Sequence, residues 1–388
     1  MQYSTCKISR YFTISTIFII LTCLALPACE ESLGNRKFLP ADSEKQAEKF
    51  NCLELLAISN VQFTGIAVSK KGRIFVCFPR WSNHIPFSVA EIVDEKFLPF
   101  PNRSINNPKN IESFNSVQSV YIDSSNDLWI LETNNPMFKG VKAPGPVLYQ
   151  VDLETNKRKN TFMFPPSTYN MMSYFNDVRI DCKRKFAYIT DSGAGAIIVL
   201  NLQTGKSRRV LDSCPPVLAE VTRLETTSGN WQNSVAVDGL AISPNRDYIY
   251  FSALTGHTLY RIPTKVLRNF KSTDNQIKQA VEKVAHIPAT DGMLMDPFGN
   301  LYMGGLETDS VNLLSNDCNA IRYFSHPEIK WADSFARDGK GYIYFTTSQI
   351  HVPHSKRSDY KIIKFNPYQI RWLYRPIKKF YRFDDTKK

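Results

Sequence analysis

Three features of the sequence predict an all-β chain folded as a six-bladed β-propeller. They are six copies of one strand–turn–strand pattern, further short alternating runs after each copy, and no helical periodicity of similar strength between them. Each copy opens on a polar residue, runs through an apolar-x-apolar stretch to a pivot Asp or Ser, turns, and returns along an apolar–aromatic strand. The copies are Thr64 to Val76, Gln118 to Ile130, Asn176 to Ile189, Asp238 to Phe251, Asp291 to Met303 and Asp333 to Phe345. Their first residues are 54, 58, 62, 53 and 42 positions apart, room for four short strands each. A β-helix is excluded because its repeats are much shorter.

The elements follow in order. Lys7 and Arg10 precede an uncharged apolar stretch from Tyr11 to Leu26, which ends in Leu26-Pro27-Ala28-Cys29. Residues 1–28 therefore read as a signal peptide, too short in its apolar core for a comfortable membrane span. The Leu-x-Ala-Cys ending resembles a bacterial lipobox, in which Cys29 carries the lipid. Residues 29–52 read as a tether and 53–366 as the propeller, with Leu53 to Ile58 supplying the strand that closes the ring. In the third unit Ala196 to Asn201 and Ser207 to Leu211 continue the blade, as Thr258 to Ile262 does in the fourth. Residues 367–388 form a basic, aromatic tail.

Composition agrees with a packed globular chain: 43% apolar, 12% aromatic and 22% charged residues exclude disorder, collagen and coiled coil. Beyond Cys29, Cys52, Cys77, Cys182, Cys214 and Cys318 are scattered without a CxxC, so zinc knuckles and redox motifs are out. Five is odd, which allows at most two disulfides, with the pairing open. No P-loop, no dinucleotide fingerprint and no HExxH occurs.

In a propeller the first strand of each blade lines the central channel, and its starting residues meet at one mouth. The repeat places Thr64, Gln118, Asn176, Asp238, Asp291 and Asp333 there, all polar where packed strands favour apolar residues. Three carboxylates on one axis repel unless a cation lies between them or one holds a proton. Asn176, Asp238 and Asp291, with Asp333 or Gln118, form an oxygen-rich candidate site for one calcium or magnesium ion. The rival is a wet channel mouth that suits an ammonium group. Glu132, Glu307 and the pair His351 and His354 lie in loops near strand ends; the histidines read as surface residues.

Several ordered motifs carry a family resemblance. Arg73 to Trp81, Asp127 to Asn134, Ser173 to Ile180, Phe186 to Gly205, Val237 to Arg261 and Trp331 to His351 resemble the Yellow/major royal jelly protein family, over about Leu55 to Phe365. The resemblance implies a secreted six-bladed propeller, and functions ranging from pigment chemistry such as dopachrome conversion to small-amine binding and nutrition. The distantly similar gluconolactonase/senescence-marker propellers hold one divalent metal with Glu, Asn, Asn and Asp. Asn176 and Asp291 stand where that family has an Asn and its Asp; Asp238 replaces the second Asn and Thr64 the Glu.

Two classes of function fit. In one, a metal-dependent lactonase-type hydrolase polarises a carbonyl while Asp291 or Asp238 takes a proton from water. In the other, a non-catalytic module holds a small amine or phenolic ligand; a dopachrome-type tautomerase follows from the resemblance alone. From Lys361 to Lys388 nine Lys or Arg stand against two Asp, interleaved with aromatics. For an exported chain this implies contact with an anionic membrane surface beside the lipid anchor, not nucleic acid.

Overall fold

The computed structural model describes residues 53–107, 113–318, 321–370 and 375–376. Residues 1–52, with Cys29 and Cys52, and most of the basic tail lie outside the described residues. Six antiparallel sheets, five of four strands and one of five, form the blades of a ring. The first is β2 (Ile66–Val68), β3 (Ile74–Cys77), β4 (Val89–Val93) and β5 (Lys96–Pro99). The second is β6 (Val117–Ile122), β7 (Asp127–Glu132), β8 (Val147–Asp152) and β9 (Lys157–Met163). The third is β10 (Phe175–Asp181), β11 (Phe186–Asp191), β12 (Ala196–Asn201) and β13 (Ser207–Val210). All six copies of the repeat fall on the two inner strands of a blade, as expected.

The fourth blade holds β16 (Val237–Ile242), β17 (Tyr248–Ala253), β18 (Thr258–Pro263) and β19 (Glu282–His286). Between β18 and β19 the chain makes two short helices, α1 (Thr264–Arg268) and α2 (Asp274–Gln279), which the sequence reading missed. The capping box of Thr273 and Gln276 starts α2: the Thr273 hydroxyl accepts from the Gln276 N–H at 3.3 Å, and the Gln276 side chain accepts from the Thr273 N–H at 2.9 Å. The fifth blade is β20 (Met293–Met295), β21 (Leu301–Gly305), β22 (Ser310–Leu314) and β23 (Ile321–Ser325), with β27 (Arg375–Pro376) added as a fifth strand. A further hairpin, β14 (Arg223–Thr226) and β15 (Gly229–Gln232), pairs with no blade.

The sixth blade joins both parts of the chain. β24 (Ala332–Arg337), β25 (Ile343–Thr347) and β26 (Tyr360–Phe365) are completed by β1 (Leu53–Ser59), with Leu53 opposite Phe365 and Ser59 opposite Tyr360. The ring is thereby closed by the strand expected to close it, and sheet edges that would otherwise template aggregation are shortened.

Cores lie between neighbouring blades. Phe75, Phe100 and Phe114 fill the gap between the first and second; Trp129, Phe164 and Phe175 fill the next. Each such ring removed from water contributes roughly 2–3 kcal/mol. Cys77, Cys182 and Cys214 carry free thiols. Among the described residues no helix is long and apolar enough to cross a membrane.

Candidate functional site at the channel mouth

The inner strands change register where the mouth begins. Pairing skips at Gln118, at Asn176 and Asp177, at Asp238 and Gly239, and at Asp333 and Ser334. A bulge of this kind leaves a residue out of the ladder and re-aims its side chain, here towards the axis. In the first and fifth blades pairing starts only at Ile66 and Met293, after Thr64 and Asp291. Two glycines let blades approach closely: a Cβ on Gly239 would lie 2.4 Å from the Asp291 carbonyl oxygen, and one on Gly292 2.2 Å from that of Asp333. Side chains of the second strands hold the carbonyls of other channel positions. Thr190 donates to the Asp238 carbonyl at 2.9 Å, Cys77 Sγ to that of Gln118 at 3.1 Å, and the Thr346 hydroxyl to that of Thr64. Burial pushes the Cys77 thiol up to about 12, so it keeps its proton for this bond.

A hydrogen-bonded chain crosses the mouth. Trp81 Nε1 donates to the Tyr174 hydroxyl at 2.7 Å, and that hydroxyl donates to Gln118 Oε1 at 2.7 Å. Gln118 Nε2 donates to Asn176 Oδ1 at 3.3 Å, and Asn176 Nδ2 to Asp238 Oδ2 at 2.6 Å. From the other side Trp331 Nε1 donates to Asp291 Oδ2 at 2.7 Å. Asp238 and Asp291 hydrogen-bond each other, which requires one proton between them.

Electrostatics agree. Asp238, Asp291 and Asp333 are all buried. Burial, then the charges of Asp333 and Asp177, holds Asp238 well above the usual carboxylate range. Burial, then Asp333 and Asp238, does the same to Asp291. Burial pushes Asp333 up to about 7, with the Ser334 hydroxyl at 3.1 Å opposing it. One step deeper Arg179 pairs with Asp177 at 2.6 Å and donates to the Met293 carbonyl at 2.6 Å, tying the third blade to the fifth across the channel.

Above these groups lies a cavity of about 500 Å³. Gln118, Asn176, Asp238, Asp291 and Asp333 line it, so five of the six repeat positions meet as expected. Thr64 stands behind them, buried, its hydroxyl 3.4 Å from the Gln118 carbonyl. Phe138 stacks on Tyr174 at 4.7 Å and on Trp81 at 5.9 Å, making one aromatic wall. Opposite, Trp231 of β15 packs edge-on against Trp331 at 5.0 Å.

The sequence reading did not foresee these walls. One signal was available: Tyr174 and Trp331 each stand two residues before a channel position, and each donates to the channel residue of the preceding blade. The expectation of surface histidines needs correction for His351. It is buried and stacked on Trp331 at 5.4 Å, because the loop after β25 folds inward over that ring, whereas His354 lines the cavity. Glu132 lies away from the cavity, accepting the N–H groups of Asn115, Ser116 and Asn134 at 2.6–2.9 Å. Glu307 pairs with His257 at 3.0 Å.

The donor set as arranged does not fit a divalent cation. Asn176 turns its NH₂ towards Asp238 and its oxygen towards Gln118, and Asp291 is bound by an indole N–H and shares a proton with Asp238. Among the described residues no three His, Cys, Asp or Glu side chains form a metal-holding group.

Comparison with known proteins matches this geometry at the level of family and fold. The Protein yellow of Drosophila madeirensis is 25% identical over 227 residues, covering 52% of this chain and 39% of the relative. That of Drosophila melanogaster is also 25% identical over 227 residues, covering 52% and 41%. The chain thus spans about two fifths of the length of the curated relatives it matches. A gluconolactonase from Xanthomonas campestris superposes with a TM-score of 0.52 at 12% identity, over 84% of this chain and 96% of that one. A luciferin-regenerating enzyme does so with a TM-score of 0.51 at 10% identity, over 80% and 94%. Likeness at that identity speaks for the fold alone. The profile of the major royal jelly protein family, however, matches residues 115–371, well over half of the chain, and the chain belongs to that family.

Proposed function

We propose that the chain is an exported binding module that holds a small aromatic amine at the channel mouth. The observation that carries this reading is one cavity combining three buried carboxylates with indole and phenol rings on two sides. An ammonium group on Asp238, Asp291 and Asp333 would neutralise the charge that burial makes costly. Its ring would lie against Phe138 and Trp81, an aromatic pairing worth about 0.5–1.5 kcal/mol beyond the area it buries.

Calorimetric titration tests this with tyramine and its uncharged analogue 4-ethylphenol. Tyramine should bind, 4-ethylphenol at least roughly tenfold more weakly, and Asp291→Asn should lose most of the difference. Equal affinity for both probes would sink the amine reading.

The second reading, a lactone hydrolase with calcium or magnesium on Asn176, Asp238 and Asp291, is favoured by those three side chains standing side by side. It requires Asp238 and Asp291 to lose their shared proton and Asn176 to turn its oxygen inward. The same calorimetry with each metal decides it: heat on adding metal, abolished in Asp291→Ala and intact in Glu307→Ala, would favour the hydrolase. Tautomerase action draws on no residue of the site.

Export with a lipid on Cys29 is part of the proposal. A fatty-acid analogue should label the wild type and spare Cys29→Ala; equal labelling of both would refute the anchor.

A further inference from the structure

The strand registers orient the ring. Phe175 pairs with Asp191 at the mouth and Asp181 with Phe186 at the far end, and the other inner hairpins run the same way. The inner hairpin turns therefore encircle the axis on the face opposite the cavity. Their acids are buried: Asp123, Asp127, Asp181, Asp296 and Asp338 point into the turns and ladders. Their lysines are not. Lys70, Lys71, Lys183, Lys185 and Lys340 are exposed; Lys71 pairs with Glu154 of the β8–β9 turn at 2.8 Å and Lys70 donates to the Ser124 carbonyl at 2.6 Å, while the one exposed acid in the inner turns, Asp247, is paired with Arg184 at 2.7 Å.

Two aromatic rings stand on the same face, Phe298 in the β20–β21 turn at 60% exposure and Tyr368 after β26 at 59%. The outer turns are mixed, with Asp94, Glu95, Glu154 and Asp317 beside Lys206, Lys265 and Lys271. Both ends of the described chain meet the ring here as well. β1 starts at Leu53 opposite Phe365, and β27 runs from Tyr323 towards Arg322, away from the mouth. In sequence, the segment after Pro376 carries five Lys or Arg, at 378, 379, 382, 387 and 388, against two Asp, all outside the described residues.

We propose that this lysine and aromatic face docks on an anionic phospholipid surface, leaving the cavity open on the side away from the membrane. Exposed lysines around a flat face gain from the surface potential of anionic lipid, and aromatic rings settle at the headgroup level. The occupant follows from charge and from the two chain segments that join the ring there, one of them carrying the tether. The inference stands apart from the identity of the cavity's ligand.

Vesicle co-sedimentation tests it with the full chain carrying Cys29→Ala, so that acylation plays no part. Residues 1–28 are common to every variant, so differences among variants report the ring. The chain should sediment with phosphatidylcholine–phosphatidylglycerol vesicles more than with phosphatidylcholine alone, and less as salt rises. Lys183→Glu, Lys185→Glu and Lys340→Glu together should weaken the partition roughly tenfold or more. Phe298→Ala with Tyr368→Ala should weaken it severalfold, and Met171→Glu with Met172→Glu, on the mouth face, should leave it unchanged. Thermal melts establish that each variant is folded, and Lys→Gln replacements serve if the reversals are not. Equal binding to neutral vesicles, no effect of the lysine changes, or loss confined to the mouth variant would overturn the proposal.

Discussion

An aspartate stands at each end of the channel-lining strand in the fifth and sixth blades, and the two ends treat it in opposite ways. At the far end Asp338 accepts the N–H groups of Lys340 and Tyr342 at 2.9 Å each and the Tyr344 hydroxyl at 3.0 Å. Asp296 likewise accepts from Phe298 and Asn300 at 2.8 and 2.9 Å. At the mouth Asp333 faces Asp238 and Asp291, and burial raises all three. The same side chain, five residues along one strand, is a structural acceptor at one end and a buried acid that resists ionisation at the other. Local backbone donors stabilise the first; burial raises the second, which therefore favours its protonated form.

Substitutions at the two ends should separate these roles by sign. Asp338→Ala removes three hydrogen bonds and leaves two backbone donors in the turn without their acceptor, so stability should fall by about 3 kcal/mol in denaturant titration. A loss under half a kilocalorie would show that the turn holds itself. Asp333→Asn should act the other way and more weakly, gaining about 1 kcal/mol at pH 8 because an amide has no charge to bury.

The pH dependence of that gain follows from linkage. The unfolded carboxyl titrates near pH 4 and the folded one near 7, so the folded state holds the proton more tightly. The stability this proton contributes is complete below about pH 4 and lost as pH rises through about 7. Asp238 and Asp291 are shifted in the same direction and add to the trend. Melting temperature should therefore decline from pH 5 to 8 in the wild type and decline less in Asp333→Asn. A wild-type profile that rises across this window would contradict the assigned protonation.

The contrast also explains what was legible. The pivot Asp of the repeat is the turn-capping residue of the far end, as at Asp181, Asp296 and Asp338, and its partners lie two to four residues away. Local chemistry of this kind repeats at fixed offsets, so strands, turns and the convergence of Gln118, Asn176, Asp238, Asp291 and Asp333 could be read directly. The walls of the cavity were not legible, because their partners are remote. Trp81 meets Tyr174 across 93 positions and Trp331 meets Asp291 across 40. Trp231 arrives on a hairpin that belongs to no repeat. How the amides and indoles orient around Asn176, Asp238 and Asp291 was not legible either, because it depends on those same remote contacts.

The chain of hydrogen bonds across the mouth has a polarity. Donors enter it from Trp81 at one end and from Trp331 at the other, so the two directions must collide, and they collide at Asp238 and Asp291. The shared proton is thus an orientational defect pinned between the fourth and fifth blades, and no rotation of Gln118 or Asn176 alone can move it. A positive guest that settles on this pair takes the place of that proton. Binding of the proposed amine would therefore release hydrogen ion, an uptake-linked proton signal that a neutral ligand would not give.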